Sequence, residues 1–411
     1  MRRLTNRAVP ASLICPNRHA IPRSAFLTSL THAGCQSPGT NFRAGWRLAS
    51  SNSHTQTALF FPGQGVQRVG MTSAWLDAFP RTCTPFLEEV DHILKVPLSR
   101  IIAEGPNSTL TATENAQPAI MATSIMILRV LEADFGFKTP ERVDFTLGHS
   151  LGEFAALVTA QHIRYQDALR MLRRRAEVVA RCSREAAKSE GSGYGMVALV
   201  CEPNHLASLI ETINEFLGYS SHGAHEDSSY HVPPIEQVRV ANINSKNQLV
   251  LSGNIERINT LLVQLRQFGG HDPRAVRLST DSPFHSPIMA PAAKIMREIL
   301  DDTAISFPGL FPCISNISSR PFESVADLKD LLARQCVETV RWWDSIKYLD
   351  QDVGVRRWIG IGPGKVGRNL VGKEVGMRGR DDVRGGGVWG ISDPREIDEM
   401  LKGLEETEGL P

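Results

Sequence analysis

The chain has 411 residues, enough to bury a sizeable core and to hold more than one subdomain. Its formal net charge is +1, so the bulk composition gives no sign of nucleic-acid binding, and a basic patch for an acidic partner has to be local. The 7 cysteines are scattered, odd in number and free of C-x-x-C pairs, which argues against a disulfide framework or a zinc site, and no apolar run reaches the length of a membrane span.

The first acidic residue is Asp77. Before it stand Arg2, Arg3, Arg7, Arg18, Arg23, Arg43 and Arg47 among many Ser and Thr, the composition of a mitochondrial or plastid transit peptide. Residues 1–56 are therefore expected to be a transit peptide or a disordered tail, with the cleavage point near 47–52. No long apolar core follows the first arginines, which disfavours a secretory signal.

Folding is expected to begin at Thr57. Ala58-Leu59-Phe60-Phe61 predicts a first strand that stops in a turn at Pro62-Gly63-Gln64-Gly65. Helical stretches follow, one of them over 120–131. Phe145-Thr146-Leu147 reads as the end of a buried strand and 153–158 as a helix; between them stands Gly148-His149-Ser150-Leu151-Gly152. G-x-S-x-G between a strand and a helix is the sequence of a nucleophile elbow. The turn lifts the Ser150 hydroxyl out at the end of a sheet, beside a helix N-terminus that favours negative charge. The flanking glycines are expected because a Cβ there would collide with the neighbouring strand and helix. The pattern alone also fits an ordinary glycine-rich turn.

A basic amphipathic helix is predicted over 165–182. After the Gly191-Ser192-Gly193 linker come a strand (196–201), a helix (204–216), two strands (238–244 and 248–252), a helix (256–268) and a strand (275–279). This β-α-β-β-α-β order is the ferredoxin-like pattern and predicts a small inserted subdomain over 191–280. Residues 218–237 read as a polar surface loop, and His222, His225 and His231 within it lack metal-ligand spacing. A helix (291–301), a strand near 312–316, a helix (324–335) and a late strand (356–361) return the chain to the larger domain. The expected class is thus α/β: 57–190 and 281–377 form a hydrolase-like parallel-sheet core with the elbow, and 191–280 the inserted subdomain. Residues 378–411, glycine- and charge-rich with one helical stretch over 394–404, read as a C-terminal tail without assignable chemistry.

An elbow serine needs a base and an oxyanion hole. Among the histidines, His285 stands out, because Pro283 and Pro287 stiffen its loop and hold the imidazole at low entropic cost. One oxyanion N–H is expected from Leu151, just after the nucleophile. The other is expected from Gly63-Gln64-Gly65, where glycines permit close approach of backbone to substrate.

With these motifs in this order, the chain resembles the malonyl-CoA:acyl-carrier-protein transacylases over roughly 57–373. Phe61-Pro62-Gly63-Gln64-Gly65 is similar to the family's opening loop, Gly148–Phe154 to its nucleophile motif and Pro283-Phe284-His285-Ser286 to its histidine motif. Ala241-Asn242-Ile243-Asn244 with Val250-Leu251-Ser252-Gly253 is similar to its subdomain hairpin, and Gly362–Val366 to its C-terminal loop. The resemblance implies Ser150 as nucleophile, His285 as base, and the backbone N–H groups of Gln64 and Leu151 as oxyanion donors. It implies that a backbone carbonyl near Gly360 or Ile361, rather than a carboxylate, orients the imidazole. Arg175 falls at the family's arginine position for the free malonyl carboxylate, with Arg173 and Arg174 adjacent to it. His149, Asn244 and Phe284 are implied as further pocket residues, Phe284 matching variants that select malonyl over branched units. The implied substrates are malonyl-CoA and holo acyl-carrier protein, with no cofactor and no metal, and the carrier is expected on a basic surface that includes some of Arg68, Lys246, Arg274 and Arg277. With the transit-like N-terminus, the expected setting is a type II fatty-acid pathway in the mitochondrial matrix. The chain departs from the family in its long polar loop, in Gly367 where Leu is usual, and beyond Arg378.

Two other readings compete. A serine esterase or lipase would use the same elbow, but neither Asp167 nor Asp272 sits in a convincing post-strand loop, and Asp134-Phe135-Gly136 and Asp352-Val353-Gly354 are poorly placed for a patatin-like dyad. A non-catalytic scaffold is disfavoured by the intact Ser150, His285 and Arg175.

Overall fold

The computed structural model describes residues 54–190, 193–218, 238–280, 282–377 and 387–408. The transit-peptide reading therefore lies almost wholly outside the described residues, as do the polar loop 219–237 with its three histidines and the first two residues of the 191–193 linker.

The strands are β1 (Thr57–Phe61), β2 (Phe145–Gly148), β3 (Tyr194–Val200), β4 (Arg239–Ser245), β5 (Gln248–Asn254), β6 (Arg274–Arg277), β7 (Cys313–Ile314), β8 (Arg357–Ile361) and β9 (Gly387–Ile391). One sheet has the order β7-β2-β1-β8-β9 and is parallel throughout. Every residue of β1 and β8 is buried, as expected when helices cover both faces of a parallel sheet. The helix Thr113–Phe135 packs here with residues buried around most of its circumference. Parallel strands deliver their connecting loops to one end, the carboxyl edge, where open α/β sheets bind ligands. The register fixes which loops meet there. Phe61 pairs with Gly148, and Leu147 with Ile314, so the turn at 62–65, the elbow and the segment after β7 emerge side by side.

The second sheet has the order β4-β5-β3-β6 and is antiparallel. Side chains alternate across it. Val197, Leu199, Leu249 and Leu251 pack under the helices Leu206–Leu217 and Ile255–Gln267, while Met196, Ala198 and Val250 join the core of the larger unit. A parallel bridge between Asn242 and Val340, with Val340 N–H donating to Ala241 O at 2.8 Å, ties β4 to the main body. The α/β class with a parallel core sheet and a small antiparallel subdomain is as expected from the sequence.

The tail reading of 378–411 needs correction. Residues 387–408 belong to the core: β9 pairs with β8 over Arg357↔Gly387 to Ile361↔Ile391, and the helix Ile397–Glu406 buries Ile397, Met400 and Leu404 against it. The apolar run Gly387-Val388-Trp389-Gly390-Ile391 is short and glycine-flanked, and its partner strand lies elsewhere in the chain, so local composition hides it. A Cβ on Gly403 would stand 2.4 Å from the Trp389 ring, so a side chain there has no room. Among the described residues, no helix is long and apolar enough to cross a membrane and no cluster of His, Cys, Asp or Glu is arranged to hold a metal.

Candidate active site

The elbow is built as the glycine spacing demands. Ser150 has φ +52°, the left-handed region, which costs an L-residue on the order of 1–2 kcal/mol. A Cβ on Gly148 would lie 2.0 Å from the Gly152 carbonyl carbon, and one on Gly152 would lie 2.6 Å from Phe61 O. Neither position has room for a side chain, because strand, elbow and helix Gly152–Thr159 are pressed together. His149 N–H donates to Phe61 O at 3.0 Å, closing the turn against β1.

His285 bonds to the serine hydroxyl. Its Nε2 lies 2.8 Å from Ser150 Oγ and its Nδ1 2.7 Å from Gln335 O. The second contact corrects the expectation that a carbonyl near Gly360 or Ile361 would orient the ring. Gln335 follows the helix Val325–Arg334 as its C-cap, and the last carbonyls of a helix have no intrahelical N–H to accept, so one is free for Nδ1–H. Gly360 instead packs β8 against Phe60, 2.5 Å from where its Cβ would be. Because Nδ1 must donate to a carbonyl, Nε2 carries the lone pair that accepts the Ser150 hydroxyl proton. Burial, and then the charge of Arg175, lower the imidazole pKa to about 3, so it stands neutral and ready to take a proton.

Arg175 is buried, contrary to the solvated-surface reading that its helix alone suggests. Its Nη1 donates to Gln117 Oε1 at 2.8 Å and its Nη2 to Gln335 Oε1 at 3.1 Å, while its Nε has no partner. Among the described residues no carboxylate forms an ion pair with it. The two adjacent arginines are engaged elsewhere: Arg173 binds Glu177, Glu114 O and Asn115, and Arg174 lies exposed beside Glu177. A buried cation held by two neutral amides and the Phe154 ring, 5.9 Å from its centroid, lacks a counter-charge that an anionic ligand could supply.

Gln64 lies in the loop after β1, where its Oε1 accepts from Gln117 Nε2 at 3.2 Å, and Leu151 is the N-cap of the elbow helix. Neither backbone N–H donates within the described residues. Gly63 has His149 Nδ1 2.7 Å from the position of a Cβ, so only glycine lets this loop approach. His149 is held by Asn244 Oδ1, 2.9 Å from its Nε2, and by an edge-to-face contact with Trp342 at 5.4 Å; burial lowers its pKa. Asn244 thus brings the subdomain hairpin to the elbow. Phe284 is buried beside His285. Arg68, Lys246, Arg274 and Arg277 are all exposed, the last two on edge strand β6.

Sequence reasoning missed Gln335, Asn316 and Gln117, and gave Glu153 no role. The Gln335 side chain donates to Ser150 O at 2.8 Å and also to Glu153 Oε2. One residue therefore touches the Ser150 peptide, the His285 ring and the Arg175 guanidinium. The only legible signal was its place at the end of a predicted helix. A separate cavity of about 410 Å³, lined by Leu128, Arg129, Val158, Ile163 and Tyr165 among others, contains none of these groups.

The family described as "Acyl transferase domain" matches residues 59–201. The chain is similar to the malonyl CoA-acyl carrier protein transacylase of Bacillus subtilis (strain 168), 34% identical over 352 residues that cover 86% of this chain and 98% of the relative. Among solved structures it is similar to the acyl-carrier-protein-S-malonyltransferase of Bartonella henselae, with TM-score 0.69, 32% identity and coverage of 85% and 99% of the two chains. It is also similar to a malonyl-transacylase solved in complex with its type II PKS acyl-carrier protein, with TM-score 0.70, 26% identity and the same coverage.

Proposed function

Because the chain belongs to the malonyl-CoA–acyl-carrier-protein transacylase family, we propose that it moves the malonyl group from malonyl-CoA to the phosphopantetheine thiol of an acyl-carrier protein, with Ser150, His285 and Arg175 doing the chemistry. Ser150 Oγ attacks the thioester carbonyl as His285 Nε2 takes its proton. The N–H groups of Gln64 and Leu151 stabilise the oxyanion. The tetrahedral adduct collapses, the coenzyme A thiolate leaves with the proton from His285, and malonyl remains as an ester on Ser150. The carrier thiol then attacks that ester, giving its proton to His285, which returns it to Ser150 Oγ. A thioester is already activated, so a neutral His supported by a carbonyl suffices without a carboxylate third member, and the sequence of steps calls for no cofactor.

The observation that carries this reading over an esterase is the buried Arg175 guanidinium, which shares Gln335 with the dyad and has no ion-pair partner among the described residues. A neutral ester gives it nothing to bind, whereas a malonyl carboxylate pairs with it. The test is intact-protein mass spectrometry after brief mixing with malonyl-CoA. A malonyl adduct is expected on the unaltered chain, discharged by holo carrier protein and absent in Ser150→Ala. Arg175→Ala should lose roughly 30- to 4,000-fold in kcat/KM, the equivalent of about 2–5 kcal/mol for truncating one member of a buried charge pair. It should still react with a fluorophosphonate at Ser150. Fluorophosphonate labelling of the unaltered chain with no malonyl adduct would overturn the transferase reading in favour of a hydrolase.

We further propose that the chain acts in the mitochondrial matrix, in a type II fatty-acid pathway. Support comes from the acid-free, Arg- and Ser-rich composition ahead of Asp77. Residues 1–56 fused to a fluorescent protein should carry it into mitochondria; a reporter that stays diffuse would exclude this setting.

A further inference from the structure

Ser150 is held in a strained backbone conformation, and strain persists only where its surroundings over-determine it. The holding group is a side chain from the segment that follows another strand. Asn316, just past β7, spans the elbow with its carboxamide: Oδ1 accepts from Ser150 N–H at 2.7 Å and Nδ2 donates to Gly148 O at 2.6 Å. Asn316 is itself fixed, since its backbone N–H donates to Glu153 Oε1 at 2.8 Å. The other oxygen of that carboxyl accepts from Gln335 Nε2, and the same Nε2 reaches Ser150 O. The peptide groups on both sides of Ser150 are thus pinned, the N–H by Asn316 and the C=O by Gln335, and one buried carboxyl spaces the two. All three side chains are almost wholly buried.

We propose that Asn316 is a positioning residue for the nucleophile, acting on Ser150 through its backbone, with Glu153 setting its place. Two consequences follow from the bonding. The carboxamide supplies both a donor and an acceptor in the two places that the elbow needs them, which neither a carboxylate nor an apolar side chain of the same size can do. It also consumes the Ser150 N–H. The nucleophile's own amide is therefore unavailable to the oxyanion, which leaves that task to the next residue, Leu151. The proposal rests on Ser150 being the nucleophile, not on which acyl group it carries.

The test uses the whole chain and two variants, Asn316→Leu and Asn316→Ala, each checked for folding by its thermal transition. Two rates are measured: fluorophosphonate labelling of Ser150, which needs no malonyl group, and malonyl transfer, separated into kcat and KM. Both variants should slow labelling and lower kcat by about 10²-fold, the order expected for a misplaced reacting group, with KM for malonyl-CoA changed less than about threefold. Leucine should fail to rescue, because it keeps the volume of Asn316 but offers neither an acceptor for Ser150 N–H nor a donor to Gly148 O. Restoration of both rates in Asn316→Leu would show that the side chain only fills space and would overturn the proposal. So would a change confined to KM. Slowed labelling in the variants, even if the unaltered chain took no malonyl group, would support the proposal while sinking the acyl assignment.

Discussion

At the residue scale, two buried titratable groups sit within one network and are driven in opposite directions along the pH axis. Burial, with the Arg175 charge, lowers His285 from 6.5 to about 3. Between those values the unfolded chain binds more protons than the native one, so this group's effect is absent above pH 6.5, and stability is lost as pH falls from there toward 3. Glu153 is raised from 4.5 to about 8 by burial, against the bonds from Asn316 and Gln335 and the Arg175 charge. Here the native state binds more protons between 4.5 and 8, so stability is lost as pH rises through that window. Glu153→Gln, which cannot ionise, should therefore flatten the decline in Tm between pH 5 and pH 8, whatever its effect on Tm at one pH. The acid limb of kcat/KM should lie well below 6.5; a limb at the ordinary histidine value would show that His285 is not the buried neutral base described here.

At the element scale, the site consists of ends. Ser150 stands where β2 gives way to a helix, Asn316 just beyond β7, the Gln64 loop just beyond β1, and Gln335 at the C-terminus of a helix. Each end offers backbone groups that regular structure leaves unpaired. The Gln335 carbonyl accepts from His285 Nδ1–H, while the Leu151 and Gln64 N–H groups donate to nothing among the described residues, as the proposed oxyanion role requires. The glycines serve the same junctions. Gly148 and Gly152 are pressed against backbone and have no room for a Cβ, whereas Gly136, at φ +63° with open space around it, only ends a helix. The elbow was legible in the sequence because its demands are local, a strand, a turn that tolerates no Cβ and a helix within a dozen residues. Gln335 was not legible in its role, because a carbonyl at a helix end carries no side-chain signature.

At the scale of the whole molecule, the C-terminal segment closes the fold. β9 covers the outer edge of β8, whose Arg357 is buried with Nη1 2.8 Å from Glu408 Oε2 and a further bond from Nη2 to Thr55 O. His54 lies 3.3 Å from both Asp144 and Glu408, so the first and last described segments meet on one buried cation and its acidic neighbours. A chain ending at residue 386 would leave β8 as an apolar edge strand and Arg357 without its carboxylate, a combination that invites edge-to-edge aggregation. Such a truncation is expected to lower soluble yield sharply and to abolish the cooperative thermal transition. A soluble, cooperatively melting product would show that the segment is an appendage after all.

The sequence by itself determined the class of the fold, the order of strands β1 to β8, the elbow and the ferredoxin-like insert, because hydrophobic period and turn residues act over a few positions. It also singled out Ser150 and His285, which the structure brings within one hydrogen bond across 135 intervening steps of chain. Only the tertiary structure decided which carbonyl holds the imidazole, which of three consecutive arginines turns inward, that Asn316 bonds to both sides of the elbow with Glu153 behind it, and that the apparent tail is a core strand. Those outcomes depend on pairings between segments from 30 residues apart, as Arg357 with Gly387, to 185 apart, settled by packing and by the need to satisfy buried polar groups.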